Sequence, residues 1–273
     1  MYQYPGASMP VVHGLSLTLP PGRVIALCGA ARSGRSTVMA LLAGLFAPGS
    51  GTVTVNNVAA TALEARGMVG LLLQNADEAL FGLTVREDVM FAPLQLGVTS
   101  EDAATRAERA LRVAGLDPRQ FARRSPFSLS GGQRRRAAIA GLLAMEPSYV
   151  LLDEPFVGLD PQGRDEIRDV IRSIAVSSLT TRTGVLVALS TLHGALELVD
   201  DLIVLHDGRA VWEGSVAAYA AEPPAVAPWG LRQPDLIALG ARLREDGWRL
   251  PPAGVDAPAL AGAIAAQLKG GRP

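Results

Sequence analysis

Short apolar segments alternate with amphipathic segments along most of the chain. GRVIALCG (22–29), YVLLDEP (149–155) and GVLVALS (184–190) are apolar runs of strand length, which is typical of buried strands. RSTVMALLAGLF (35–46) and SEDAATRAERALRVAGL (100–116) have apolar residues at helical spacing. Buried strands that alternate with helices predict an α/β fold with a mostly parallel sheet.

Two other segments have the pattern of antiparallel strands. GSGTVTVNNV (49–58) alternates between apolar and polar residues, and DDLIVLHDGRAVWEG (200–214) has a turn signal at Asp207-Gly208. We therefore expect a strand at 49–58 and a final hairpin at 200–214. Ser100 is the expected N-cap of the helix at 100–116.

The composition changes after Gly214. AEPPAVAPWG (221–230) is rich in proline and alanine, which predicts a linker. Two amphipathic helices are expected beyond it, the second with Asp256 as its N-cap. Their apolar stripes consist of Leu236, Leu239 and Leu243 and of Leu260, Ile264 and Leu268. Because such short helices are barely stable alone, we expect them to pack on the main domain or on a partner.

Charge and composition exclude several classes of protein. The 25 basic and 26 acidic residues nearly balance, which argues against a nucleic-acid partner. The apolar run AAIAGLLAM (137–145) is far shorter than the roughly 18 to 20 residues of a membrane span. The single cysteine, Cys28, cannot form an internal disulfide, so we expect a reducing, cytoplasmic setting and an inert, packed thiol.

The segment CGAARSGRST (28–37) has the glycines and serine of a phosphate-binding loop at Gly29, Gly34 and Ser36. Backbone amides of such a loop bind phosphate, and the serine hydroxyl binds Mg²⁺. Arg35 stands where lysine is expected, and Arg32 stands where glycine often eases the turn. We therefore expect nucleotide binding with impaired phosphoryl-transfer geometry. The predicted nucleotide-binding loop consists of Gly29, Ala30, Ala31, Arg32, Ser33, Gly34, Arg35, Ser36 and Thr37.

Two further motifs support a nucleotide site. In YVLLDEP, Asp153 and Glu154 end a predicted strand, where the aspartate can hold Mg²⁺ and the glutamate can polarise the attacking water. LSGGQ (129–133) opens a predicted helix and offers a hydroxyl and bare amides to a phosphate. Its candidate binding residues are Ser130, Gly131, Gly132 and Gln133.

With LSGGQ, the sequence resembles the ATP-binding-cassette (ABC) ATPases, P-loop NTPases with a RecA-like core, an antiparallel β subdomain and an α-helical subdomain. The resemblance implies that Tyr4 stacks on adenine and that Gln74 contacts Mg²⁺ and relays to a membrane partner. It also implies that Asp160 in GLDP (158–161) crosses between two cassettes. Two such cassettes sandwich two ATP molecules, each between the loop of one chain and the LSGGQ segment of the other.

Longer stretches are similar to the ATPase subunits of energy-coupling-factor (ECF) transporters, which import vitamins, cobalt or nickel. These stretches are EALFGLTVREDVMFAPLQLG, RSPFSLSGGQRRRAAIAGLLAMEP, EPFVGLDPQGRDEI and GLRQPDLIALGARLREDGWRLP. The resemblance implies an ATPase domain at 1–214 with a helical subdomain at about 76–146, a linker at 215–230 and a helical dimerisation appendage at 231–273. It also implies a second ATPase subunit, a transmembrane coupling subunit contacted by 74–91, and a substrate-binding membrane subunit. The chain would lie at the cytoplasmic face of the membrane.

Two departures from the family pattern affect the same composite site. The first is Arg35, and the second is Ser190, which occupies the position of the family's histidine that contacts the γ-phosphate. His193, three residues later, is expected on the surface, and His13 and His206 have no motif context. LSGGQ (129–133) is the signature segment of the ABC family. Because Glu154 and this signature segment are retained, we expect weak hydrolysis at the chain's own site and a competent signature segment for the partner's site.

Two alternatives remain open from the sequence. The chain can be a homodimeric ABC ATPase in which Arg35 works well enough, or a nucleotide-binding regulatory or scaffold module without useful catalysis. Dimerisation and turnover by the chain alone favour the first, and ATP-dependent association without turnover favours the second.

Overall fold

The computed structural model describes residues 1–75, 80–176, 182–250 and 257–269. Strands in this part are β1 (Val24–Cys28), β2 (Thr54–Val55), β3 (Val58–Ala59), β4 (Val69–Leu72), β5 (Tyr149–Asp153), β6 (Gly184–Leu189), β7 (Asp201–His206) and β8 (Arg209–Ser215). Helices are α1 (Arg35–Leu42), α2 (Val85–Gln95), α3 (Ser100–Val113), α4 (Pro118–Phe121), α5 (Gly131–Leu143), α6 (Pro161–Val176), α7 (Val216–Ala221), α8 (Asp235–Glu245) and α9 (Ala257–Lys269).

The central sheet has the strand order β4–β5–β6–β1–β7–β8. Neighbouring strands are parallel from β4 to β7, and β8 is antiparallel to β7. The predicted α/β fold with a mostly parallel sheet is therefore confirmed. Because parallel strands end at one edge, the segments that follow β1, β5 and β6 meet there.

Both faces of the sheet are covered, as the continuous apolar strands predict. Along β1, Val24, Ala26 and Cys28 pack into one core cluster. Ile25 and Leu27 point to the other face and pack into a second cluster with α1. The alternation of side chains along a strand thus divides one apolar run between two cores.

A helical layer formed by α2, α3 and α5 packs together beside the sheet. The buried face of α3 carries Ala103, Ala107 and Ala110, small side chains that allow close helix packing. The N-cap of α3 is Thr99 rather than the predicted Ser100, because the Thr99 hydroxyl accepts a hydrogen bond from the amide of Asp102 at 3.2 Å.

Of the two predicted antiparallel elements, the second matches best. Strands β7 and β8 form the expected hairpin, with both Asp207 and Gly208 at positive φ. The strand expected at 49–58 is much shorter, because only Thr54–Val55 pairs with Val58–Ala59. Asn56 and Asn57 between them adopt positive φ and turn the chain back early.

The segment predicted as a linker contains structure. Helix α7 lies within 215–230, and its Val216 and Tyr219 are buried in the same core cluster as β1, together with Val226. The Tyr219 hydroxyl also donates a hydrogen bond to Gln233 Oε1. The division of the chain into domain, linker and appendage at these boundaries remains a prediction.

The leucine stripe predicted for the first C-terminal helix is not its buried face. Helix α8 buries Ile237 and Gly240, whereas Leu239 is 45% exposed. The packed face is set by contact with the main core rather than by the leucine spacing. In α9, Leu260 is buried and Leu268 is exposed, and Asp256, the predicted cap, lies outside the described residues.

The α-helices in the described ranges have between 4 and 16 residues. No helix there combines the length and the apolarity that crossing a bilayer requires.

The chemistry of Cys28 gives a first prediction. The side chain is fully buried, and burial raises the pKa of its thiol to about 12, although Arg35 nearby acts in the opposite direction. A buried thiol that stays protonated at neutral pH is a poor nucleophile. We expect no reaction of the native protein with Ellman's reagent at pH 7.5, and one reactive thiol after unfolding in urea. Rapid stoichiometric labelling of the native protein would contradict this packing.

Candidate functional site

The loop between β1 and α1 has the geometry of a tight phosphate-binding turn. An added Cβ at Gly29 would lie 2.4 Å from the carbonyl oxygen of Leu205, so only glycine fits there. Gly34, the N-cap of α1, has φ of 103°. Arg32 adopts φ of 67°, which explains why a glycine would ease the turn at that position.

Arg35 points back into the loop that it follows. Its Nη1 donates hydrogen bonds to the carbonyl oxygens of Gly29 and of Ala30, the latter at 2.8 Å. Its Nη2 lies 3.0 Å from Glu154 Oε1, in an ion pair whose side chains are only 11% and 12% exposed. The guanidinium is therefore held by two carbonyl groups and by the carboxylate that was predicted to polarise water.

The structure brings Ser36 and Asp153, two of the predicted Mg²⁺-binding residues, into direct contact. The Ser36 hydroxyl donates a 2.8 Å hydrogen bond to Asp153 Oδ2, and Asp153 is buried at the end of β5. A hydroxyl beside a carboxylate is an oxygen pair of the kind that Mg²⁺ binds, so the residues fit this ion. Clusters of three or more His, Cys, Asp or Glu side chains that would hold a metal are absent from the described ranges.

Glu154 has an uncommon backbone conformation for a glutamate, with φ of 49°. Its amide donates to the carbonyl oxygen of Ala188 at 3.0 Å, and its carbonyl oxygen accepts from the amide of Val157 at 3.2 Å. Strain of this kind persists only where surrounding contacts hold it. Arg135 adds one more contact, from its Nη1 to the Glu154 carbonyl oxygen at 3.3 Å.

Ser190, the residue at the position of the family's histidine, lies at the end of a sheet strand. It is exposed and directly follows β6, whose last residue, Leu189, accepts a hydrogen bond from the amide of Gly29 at 3.2 Å. Position 190 is thus adjacent to the start of the phosphate-binding loop. His193 is also exposed, and it lines a groove of about 120 Å³ beside the start of α8.

Tyr4 and Gln74 are exposed next to the same region. The Tyr4 hydroxyl is 3.1 Å from Thr37 Oγ1, and its ring packs edge-on against Phe46. Gln74 lies two residues beyond β4, and its carbonyl oxygen accepts a hydrogen bond from Arg135 Nη2 at 3.2 Å. Of the other loop residues, Ala31 and Arg32 are exposed and Ser33 is buried.

The LSGGQ segment forms the N-terminus of α5. Ser130 is the N-cap, and its side chain and that of Gln133 exchange hydrogen bonds with each other's backbone amides at 3.3 and 3.1 Å, which makes a capping box. Gly131 is exposed, and amides in a first helical turn have no acceptor within the helix. This end of α5 therefore has the form of an anion-binding helix terminus.

The predicted crossing loop lies beside the same helix. An added Cβ at Gly132 would be 3.9 Å from Gly163 and from the Leu159 side chain. Asp160 Oδ1 accepts a 2.7 Å hydrogen bond from the amide of Gly163 at the start of α6.

Besides the Arg35–Glu154 pair, sequence reasoning missed two features of the site. The first is the buried Arg135, which lies four residues before Ile139 and eight before Leu143, a spacing that placed it on the inner face of α5. The second is the approach of the C-terminal segment to the loop, since an added Cβ at Gly230 would lie 3.2 Å from Ala30 Cβ. No local pattern signals this second contact, because the two residues are far apart in the chain.

The sequence is similar to those of known transporter ATPases. The family model described as ABC transporter matches residues 12–157, more than half of the chain. The energy-coupling factor transporter ATP-binding protein EcfA2 of Symbiobacterium thermophilum is 38% identical over 94% of this chain and 89% of its own. The protein of the same name from Bacillus subtilis is 34% identical over 91% and 94%.

Solved structures share the fold. CbiO1 from Clostridium perfringens, described as part of the ABC transporter complex CbiONQ, has a TM-score of 0.73 and 26% identity, covering 89% of this chain and 95% of its own. The dimeric cassette MJ0796 bound to ADP and Pi has a TM-score of 0.66 and 27% identity, covering 79% and 94%. The expected cassette fold is thus confirmed, and the chain belongs to the ABC transporter ATPases, in the branch of the energy-coupling factor transporter ATP-binding proteins.

Proposed function

We propose that this chain is a nucleotide-binding subunit of an importer of a vitamin or metal ion, with unequal roles for its two nucleotide-contacting surfaces. Its own site binds ATP and hydrolyses it slowly, whereas its LSGGQ segment completes an active site on a second ATPase subunit. The observation that carries this proposal is the enclosure of Arg35 by Gly29, Ala30 and Glu154. The N-cap formed by Ser130 is, by contrast, complete.

The Arg35 contacts explain why transfer at the chain's own site would be slow. The ion pair engages the Glu154 carboxylate that would otherwise orient water. Reaching a phosphate requires the guanidinium to give up its hydrogen bonds to two carbonyl oxygens. A planar guanidinium also cannot substitute closely for the compact ammonium of lysine. Ser190 adds no imidazole to compensate.

Other residues of the site suit ATP and Mg²⁺. The loop amides and the N-terminus of α1 are placed to bind phosphate oxygens, and Tyr4 is exposed for contact with the base. Ser36, Asp153 and Gln74 would hold Mg²⁺, which supplies charge neutralisation for phosphates when bound.

Exposed apolar side chains support the proposed protein partners. Phe81 and Leu83 at the start of the helical layer are 61% and 84% exposed, and Phe91 is 44% exposed. Such exposed apolar side chains are suited to contact with a transmembrane coupling subunit. The coupling subunit would in turn bind a substrate-binding membrane subunit. Leu239 and Leu268 on the appendage are also exposed and fit contact with the second ATPase subunit. The chain would then lie on the cytoplasmic face of the membrane.

Restoring the two missing groups tests the impaired site. In the complex with the second ATPase, Arg35→Lys combined with Ser190→His should raise ATP turnover from this chain's own site about tenfold or more, equivalent to about 1.4 kcal/mol of barrier. The physical reason is that lysine frees Glu154 and histidine supplies an imidazole. Turnover is measured with the partner's own site inactivated. Arg66→Lys, the same exchange on an exposed arginine outside the loop, should change little, and unchanged turnover in the double variant would show that Arg35 and Ser190 are not limiting.

The role of the signature is tested by adding charge without removing the cap. Ser130→Asp retains an N-cap side chain but places a carboxylate where the partner's phosphate would bind. We expect turnover by the complex to fall about tenfold or more, through like-charge repulsion. Thr99→Asp, the same type of change at the N-cap of α3, is the matched control and should leave turnover intact. Equal turnover for both variants would exclude a role of Ser130 in the partner's site.

The docking surface gives a separate prediction. Leu83→Asp should abolish co-purification with the transmembrane subunit, because a charge replaces an exposed apolar contact, while the melting temperature stays within about 2 °C. Val176→Asp alters a side chain of similar exposure (80%) on α6 and should leave assembly unchanged. Normal assembly of the Leu83 variant would show that the chain contacts the transmembrane subunit through another surface.

A further inference from the structure

A single buried side chain connects the start of α5 with the ends of two sheet strands. Arg135 is only 5% exposed. Its Nη1 donates to the carbonyl oxygens of Pro155 at 3.0 Å and Glu154 at 3.3 Å, and its Nη2 donates to that of Gln74 at 3.2 Å. Burying an arginine is costly unless its donors are satisfied, so these contacts hold the side chain in one place.

Two of the three carbonyl groups belong to Glu154 and Gln74, candidate residues of the chain's own nucleotide site, and the third belongs to Pro155, which follows Glu154. Glu154 directly follows β5, and Gln74 follows the neighbouring strand β4. Glu154 is held at positive φ, with its amide bonded to Ala188, so its backbone has little freedom to move independently. A shift of Gln74 or Glu154 on nucleotide binding therefore acts on the Arg135 guanidinium.

The backbone of Arg135 belongs to α5, the helix that begins with the signature segment. The residue lies five positions after the cap Ser130, in the first turns of α5. Its side chain shares the buried face with Ile139 and Leu143, which are 0% and 3% exposed. The helix is therefore packed firmly enough to move as one piece, and displacement of Arg135 would displace Ser130 and Gly131.

We propose that Arg135 is a positioning residue that transmits the state of this chain's own nucleotide site to the signature segment that it presents to the second ATPase. The inference rests on the proposed function, because it requires the own site to bind nucleotide. Arginine suits this role because its planar fork reaches several acceptors in fixed directions, whereas the ammonium of lysine cannot span them. Nucleotide bound at this chain's slowly hydrolysing site would then still regulate the active site of the second ATPase subunit.

Hydrogen exchange on the isolated full chain tests the transmission. With Mg²⁺ and a non-hydrolysable ATP analogue, we expect exchange in peptides covering 129–143 to slow about fivefold or more, the lower end of typical coupling between sites. In Arg135→Lys, the analogue should still bind by calorimetry, but the change in these peptides should be lost. Arg136→Lys is the matched control, since Arg136 contacts Glu166 and Gly115 rather than the site, and it should retain the wild-type response.

Each other outcome has a distinct meaning. An equal response of α5 in wild type and Arg135→Lys would overturn the role of Arg135 and leave the proposed function intact. Loss of analogue binding in Arg135→Lys alone would assign Arg135 to the binding site itself and overturn the transmission role. Failure of the wild-type chain to bind the analogue would overturn both proposals. Arg135→Gln, which retains a donor without the charge, serves if the lysine variant does not fold.

Discussion

The parallel order of β5, β6 and β1 is the constraint on which the site depends. It brings the ends of three strands that are distant in sequence to one edge of the sheet, where Asp153, Ser190 and the loop after Gly29 become neighbours. The apolar composition of these strands drives this arrangement, because each is buried on both faces. The chemistry of the site then depends on which side chains stand at the strand ends.

At these ends, two arginines hold one glutamate. Arg35 pairs with the carboxylate of Glu154, and Arg135 binds its carbonyl oxygen. The first contact belongs to the phosphate-binding loop and the second to the helix of the signature. Glu154 thus contacts both the loop proposed to bind the chain's own nucleotide and the helix proposed to serve the partner's site. The arginine at the position where the loop motif has lysine is therefore a direct partner of the glutamate.

The sequence was sufficient where a local pattern determines the structure. The buried strands, the loop glycines and the helix that begins at LSGGQ each follow from residues within a few positions of one another. Prediction was poorer where tertiary packing decides, as in α8, whose buried face is Ile237 and Gly240 rather than the leucine stripe. The Arg35–Glu154 pair spans 119 positions, and the Gly230–Ala30 approach likewise depends on the whole fold. Neither has a local signal.

The proposed function requires that this chain's own site contributes little turnover. The most direct measurement is steady-state ATP hydrolysis by the complex with the second ATPase, before and after Glu154→Gln in this chain only. Glutamine keeps an oxygen acceptor for Arg35, so the loop contacts should survive while the carboxylate is lost. We expect unchanged turnover. A fall of about tenfold or more, equivalent to about 1.4 kcal/mol of barrier, would mean that Arg35 is tolerated and that the site is active.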